Sequence, residues 1–167
     1  MKYFLYELHV AQNTDNISEQ ECNKIENQWQ LHIENYQEIY RTLKDRLPLA
    51  VFKHFYSWGF HDYRLIKMEI EHKSLLQLNV HFTLSNDEEE ENEELWILSF
   101  HNVSIFKTEH HNFDNEKSIL SRDIDSWLYE EFLPVNGLTL SFEVIFSSGG
   151  NVLIHFLNHS VSIKRIK

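Results

Sequence analysis

The sequence predicts an α+β fold, with a long helix and a short helix near the N-terminus packed on a mainly antiparallel sheet of about six strands. Three observations predict it. Apolar and aromatic residues recur in steps of three and four from Cys22 to Leu47. Past the corner Trp58-Gly59-Phe60-His61-Asp62 the spacing becomes two. Most later segments are separated by turn signals rather than long crossovers, and short turns join antiparallel neighbours. With 167 residues, 42% of them hydrophobic and 14% aromatic, the chain is large enough for one ordinary core. A single domain over 1–167 is expected, helix-rich to 59 and strand-rich from 60.

Taken in order, Tyr3 to Val10 is a short aromatic run that reads as a first strand or as a lead-in packed on the helices. Ser18-Glu19-Gln20-Glu21 is a capping box, in which a hydroxyl and a carboxylate satisfy each other's backbone donors. The stripe Cys22, Ile25, Trp29, Ile33, Tyr36, Tyr40, Leu43 and Leu47 then defines one face of a long helix. On that stripe Cys22 reads as a small core residue. Pro48 ends the helix and opens a second one carrying Leu49, Phe52, Phe55 and Tyr56. Gly59 suits the position just past its end, where a positive backbone angle is needed.

Ile66, Met68 and Ile70 alternate with charged residues as a half-buried strand. Lys73-Ser74 is a tight turn, and Leu76 to Leu84 alternates again. Leu95 to Phe106 reads as one strand or a bent pair. Thr108 to Ser121, rich in His and Asn, reads as a surface loop, and Asp123 to Phe132 as one or two helical turns anchored by Trp127 and Leu128. Pro134 and Asn136-Gly137 mark a turn. Strands follow at Leu140–Phe146, at Val152–Phe156 after the Ser-Ser-Gly-Gly turn, and at Val161–Ile166.

Charge and composition exclude several classes. The formal net charge is −11, and seven acidic residues sit in the run from Asp87 to Glu94. Such a run is a solvated loop, or a docking surface for a basic protein through Glu88, Glu89, Glu90 and Glu91. The overall sign argues against nucleic-acid binding. One cysteine permits no intrachain disulfide. No apolar run is long enough to span a bilayer, and Met1 to Glu7 meets an acid too early for a signal-peptide core. A cytoplasmic protein, monomeric or dimeric and without a membrane partner, is the simplest reading.

Eleven histidines invite a metal reading, but none of the usual ligand spacings occurs. His110-His111 are adjacent, and adjacent residues rarely ligate one ion. No cofactor is expected, since no Gly-rich phosphate loop is present. His61 and Asp62 are the best chemical pair, at a corner where rigid neighbours position them. Ser141 and Glu143 share one strand face and would meet His61 and Asp62 if the two strands were neighbours. The same residues have plainer roles: His61 bracing the corner, Asp62 bonding local backbone, and Glu143 facing solvent.

Met1-Lys2-Tyr3-Phe4, Gly59-Phe60-His61-Asp62-Tyr63, Asn102–Phe106, Glu131-Phe132-Leu133-Pro134-Val135 and Ser141–Gly149 resemble an uncharacterised family of small proteins from Bacillus and Clostridium relatives. The resemblance covers nearly the whole chain and implies no activity. Phe60-His61-Asp62 followed by a strand meander also resembles bacterial immunity-type proteins of polymorphic-toxin systems. That likeness covers the strand half and implies a cytosolic protein that binds another protein. Neither carries a catalytic residue.

Three functions follow. One is a non-catalytic protein-binding module, of immunity or antitoxin type, steered to a basic partner by its acidic loop. The second is a metal-dependent hydrolase using His61, Asp62 and Glu143. The third is a protein that self-associates through its long helix.

Overall fold

The structure, a computed structural model, describes residues 1–14, 18–75, 77–86, 93–110 and 124–167. Among the described residues the chain forms helices α1 (Tyr6–Gln12), α2 (Glu19–Arg41) and α3 (Leu49–Phe55). It also forms strands β1 (Arg64–Ser74), β2 (Gln77–Ser85), β3 (Leu95–Phe100), β4 (Ile105–Glu109), β5 (Asp125–Pro134), β6 (Thr139–Phe146), β7 (Asn151–Leu157) and β8 (Val161–Arg165). The fold is α+β, and every strand pairing is antiparallel. No described helix is long and apolar enough to cross a membrane.

The sheet has eight strands, not about six, in the order β4-β7-β6-β5-β1-β2-β3-β8. Two differences account for the change. Leu95 to Phe106 divides into β3 and β4. Asp123 to Phe132, expected as helical turns, is instead largely β5. A bulge between Trp127 and Tyr129 shifts the register of β5 against β6. As a result the buried positions after Asp125 fall at 127, 128, 131 and 132, a spacing that imitates one face of a helix.

Neighbouring strands in a sheet lie about 4.8 Å apart, so β3 and β6, four steps apart, would be separated by roughly 19 Å on a flat surface. Yet the rings of Phe100 on β3 and Phe142 on β6 have centroids only 4.8 Å apart, and Phe156 on β7 is 5.0 Å from Phe100. The sheet therefore curls until the inner faces of its halves meet. The curl is possible because β1 and β5 pair only at Arg64↔Ser126 and Leu65↔Asp125 and then part.

The helical segment fills the gap that this parting opens. Leu43, Leu47, Val51, Phe55 and Phe60 are buried in the common core, with α3 against β8 and α2 against β5. Burying side chains of this size stabilises by about 1.5–3 kcal/mol each. Arg46 ties the end of the helical segment to two hairpins. Its Nε donates to Asn158 Oδ1 (3.0 Å), and its Nη2 donates to the carbonyls of Asn136 (2.5 Å) and Thr139 (3.0 Å).

The capping box at Ser18 and Glu21 is formed. The long helix is the second of the chain, since Tyr6–Gln12 is a helix rather than a strand. The helical stripe is buried only from Tyr36 onward. Cys22 is exposed, contrary to the core role its position on the stripe suggested, because the first half of α2 extends past the sheet and meets α1 instead. Gly59 takes φ +56°, as a residue just past a helix end should.

Candidate functional site

The residues singled out by sequence do not come together. The strand that follows His61 and Asp62, β1, is separated from β6 by β5. Glu143 pairs with the Met1 ammonium at 2.8 Å. Ser141 Oγ donates to the Leu133 carbonyl at 3.4 Å. His61 Nδ1 bonds the Leu128 carbonyl, and its Nε2 stands 3.6 Å from an Asp62 carboxylate that is 82% exposed. Asp62 itself takes φ +65°, and its backbone N–H donates to the Trp127 carbonyl at 3.0 Å. His61 and Asp62 thus fasten the corner to β5. Among the described residues no group of three His, Cys, Asp or Glu side chains is arranged to hold a metal ion.

Glu88, Glu89, Glu90 and Glu91, the expected docking residues, lie outside the described residues, as does His111. The last two acids of that run are tied down rather than loose. Glu93 accepts from Ser85 Oγ (3.1 Å) and pairs with Lys167 (3.3 Å), while Glu94 pairs with Arg165 (2.9 Å).

A Ser-His-Glu row lies across β1, β2 and β3. Ser99 Oγ is 2.8 Å from His81 Nδ1, but His81 Nε2 is 3.7 Å from Glu71, beyond hydrogen-bond length. The Glu71 carboxyl is held below its usual range chiefly by the Asn79 amide bonded to it. The row is a cross-strand polar ladder and not a catalytic triad.

The concave feature lies elsewhere. A cavity of about 440 Å³ opens between α2, the segment from Phe55 to His61, β5 and Phe4. Eight of its fourteen lining residues are Phe, Tyr or Trp, and none is Lys or Arg. Trp58 at its rim is 78% exposed.

Tyr129 is the hub of the walls. Phe4 stacks on it at 5.5 Å and His61 at 4.9 Å, and Trp29 meets it edge-on at 4.9 Å. Two further tyrosines are held by their own hydroxyls. Tyr36 Oη accepts from the Phe132 N–H (2.9 Å), and Tyr40 Oη donates to the Phe52 carbonyl (3.1 Å). The first of these bonds occupies the edge of β5 that β1 leaves unpaired, so α2 stands where a strand would.

One acid lines this aromatic space. Glu130 faces inward on β5, paired in register with the buried Val144. The residue lines the cavity and is partly buried. Trp127 Nε1 donates to it at 2.5 Å, and the Phe60 backbone N–H also favours its charged form. Burial outweighs both effects and pushes its pKa up to about 8. Among the described residues Glu130 has no ion-pair partner, in contrast to Glu93, Glu94 and Glu143.

The next residue is treated in the opposite way. Glu131 points to the other face and is 1% exposed. It accepts the backbone N–H groups of Lys2 (2.8 Å), Tyr3 (2.7 Å) and Phe4 (3.0 Å). This concave set of amides around a carboxylate fixes the segment that carries Phe4 into the cavity wall.

Sequence reasoning missed Tyr129, Glu130 and Glu131. The available signal was two adjacent glutamates flanked by aromatics and followed by Pro134, a pattern that on a strand puts one acid on each face. Neither a protein-family model, nor a curated protein, nor a solved structure matches the chain.

Proposed function

We propose that the protein is a non-catalytic binding module whose working surface is the aromatic cavity between α2, α3 and β5. The observation that carries this reading is a cavity of about 440 Å³ with eight aromatic lining residues and an exposed tryptophan at its mouth. The volume falls within the range of ligand pockets, and an apolar lining with a few polar groups is their usual composition. An exposed Trp beside a recess is also the kind of residue that dominates binding energy when it is covered. Binding is favoured over hydrolysis because His61, Asp62, Ser141 and Glu143 each hold separate structural partners.

A neutral aromatic dye, N-phenyl-1-naphthylamine, tests the reading. It should bind saturably at one site and quench Trp29 and Trp58. Gln37 lines the cavity from the exposed side of α2. Gln37→Trp should fill the space, weaken dye binding at least tenfold and leave the melting temperature within a few degrees. Absence of saturable binding, or binding unchanged by Gln37→Trp, would overturn the proposal.

A further inference from the structure

We infer that the cavity is selective for an organic cation, a protonated amine on an apolar body, with Glu130 as its counter-ion and the rings of Trp29, Tyr129 and Trp58 as its walls. This rests on the reading of the cavity as a binding site and names the chemistry of what enters it.

Two features of the cavity agree on the sign of the charge. Aromatic faces carry negative charge density and attract a cation within about 6 Å of the ring centre, more strongly once water is removed. The wall rings are held close together, with Tyr129 4.9 Å from Trp29 and Phe4 5.8 Å from Trp29. Among the described residues no Lys or Arg lines the space, so none of them competes as a resident cation for the rings or the acid.

Glu130 is the second, independent feature. Its carboxyl accepts a hydrogen bond from Trp127 Nε1, at 2.5 Å. An ionised carboxylate has about four acceptor positions, so capacity remains for an ammonium. A buried acid without a counter-ion is costly to ionise, and an incoming ammonium would supply what the fold omits. An anionic ligand would meet an acid and ring faces of the wrong sign. A neutral one would gain only the apolar contacts.

The other titratable groups lining the cavity are Tyr36 and Tyr40 on α2, Tyr56 and His61 on the segment after α3, and Tyr129 on β5. Burial raises Tyr36, Tyr40 and Tyr129, so all three stay neutral at ordinary pH. Glu130, the carboxylic acid among the lining residues, is the group assigned to the proton release, and Glu130→Gln tests that assignment.

Calorimetric titration of the full chain with 4-phenylbutylamine, 4-phenylbutanol and 4-phenylbutyrate tests this, since the three share a body and differ in the head group. At pH 7 the amine should bind at least tenfold more tightly than the alcohol, and the carboxylate weakest. Repeating the amine titration in buffers of different ionisation enthalpy should show protons released. Glu130→Gln should remove both the preference and the proton release while alcohol binding and a cooperative melting transition remain.

Equal affinity for amine and alcohol would sink the cation inference and leave the cavity as a binding site. No saturable binding of any of the three would sink both. A preference that survives Glu130→Gln would remove Glu130 from the role. An acetyl-Phe-Lys-amide arm identifies the source of the cation. Tighter binding than the amine points to a side chain of a basic protein, and weaker binding to a free amine; either supports the inference.

Discussion

The carboxyl of Glu130 occupies the space a side chain on residue 59 would need: a Cβ added to Gly59 would lie 1.9 Å from Glu130 Oε1. It would also lie 2.9 Å from Phe55 Cδ1, on a backbone with φ +56°. Gly59 thus permits the helix to end, the chain to turn into β1, and a strand acid to sit under the turn. Gly59→Ala should destabilise by at least about 1 kcal/mol from the backbone angle alone. The steric part should be smaller in a Glu130→Ala background, because the colliding carboxyl is gone. A double-mutant cycle in urea measures that difference, and strict additivity would show that the two residues do not meet.

Glu130 also makes stability fall as pH rises. Its pKa is raised from 4.5 to about 8, so between those values the folded protein holds a proton the unfolded chain has lost. The associated loss of stability begins near pH 4.5, grows through the window and is complete above about 8. Its slope is at most about 1.4 kcal/mol per pH unit. Denaturation midpoints of wild type and Glu130→Gln should diverge upward from pH 5, the variant gaining relative to the parent. Parallel curves would contradict the burial of this carboxyl.

Glu131 predicts a different phenotype. Glu131→Ala leaves three backbone donors of residues 2–4 without their acceptor and should destabilise by roughly 2–4 kcal/mol. Glu131→Gln, which keeps one acceptor oxygen, should cost less. Amide exchange at Lys2, Tyr3 and Phe4 should accelerate in both variants, before any change in the β6–β7 hairpin.

Arg46 joins the helical segment to the turns after β5 and β7, at Asn136, Thr139 and Asn158. Arg46→Met keeps much of the aliphatic stem and loses the charged bonds, each of which is worth about 1.5–3 kcal/mol. A net loss of roughly 2–3 kcal/mol is expected from thermal or urea unfolding. Arg46→Lys should recover little of it, since an ammonium cannot reach three acceptors through a planar fork.

The helical half and the corner were legible because their signals are local. Ser18 and Glu21 form a capping box within four residues, and Gly59 marks a helix end wherever the helix packs. The exposure of Cys22 was not legible, because a stripe says which face would be buried and not how far the neighbouring sheet extends. β5 was misread for a physical reason: its bulge at Leu128 interrupts the two-residue alternation and leaves a helix-like spacing. With the strand went its two acids, which in a turn of helix would be surface neighbours and on a pleat are split between the cavity and the N-terminal segment. The pairing of Glu143 with Met1 was beyond reach, since nothing near either residue in sequence points to the other.

The four tryptophans provide the most direct measurement. Trp29 and Trp58 line the cavity, Trp127 Nε1 donates to Glu130, and Trp96 Nε1 donates to Glu94 at 3.2 Å, outside the set of lining residues. In a nitrogen-15 spectrum titrated with 4-phenylbutylamine, the indole signals of Trp29, Trp58 and Trp127 should shift together and saturate while that of Trp96 stays in place. Four unmoved signals, or a Trp96 signal that moves as far as the others, would contradict the assignment of this cavity as the working site.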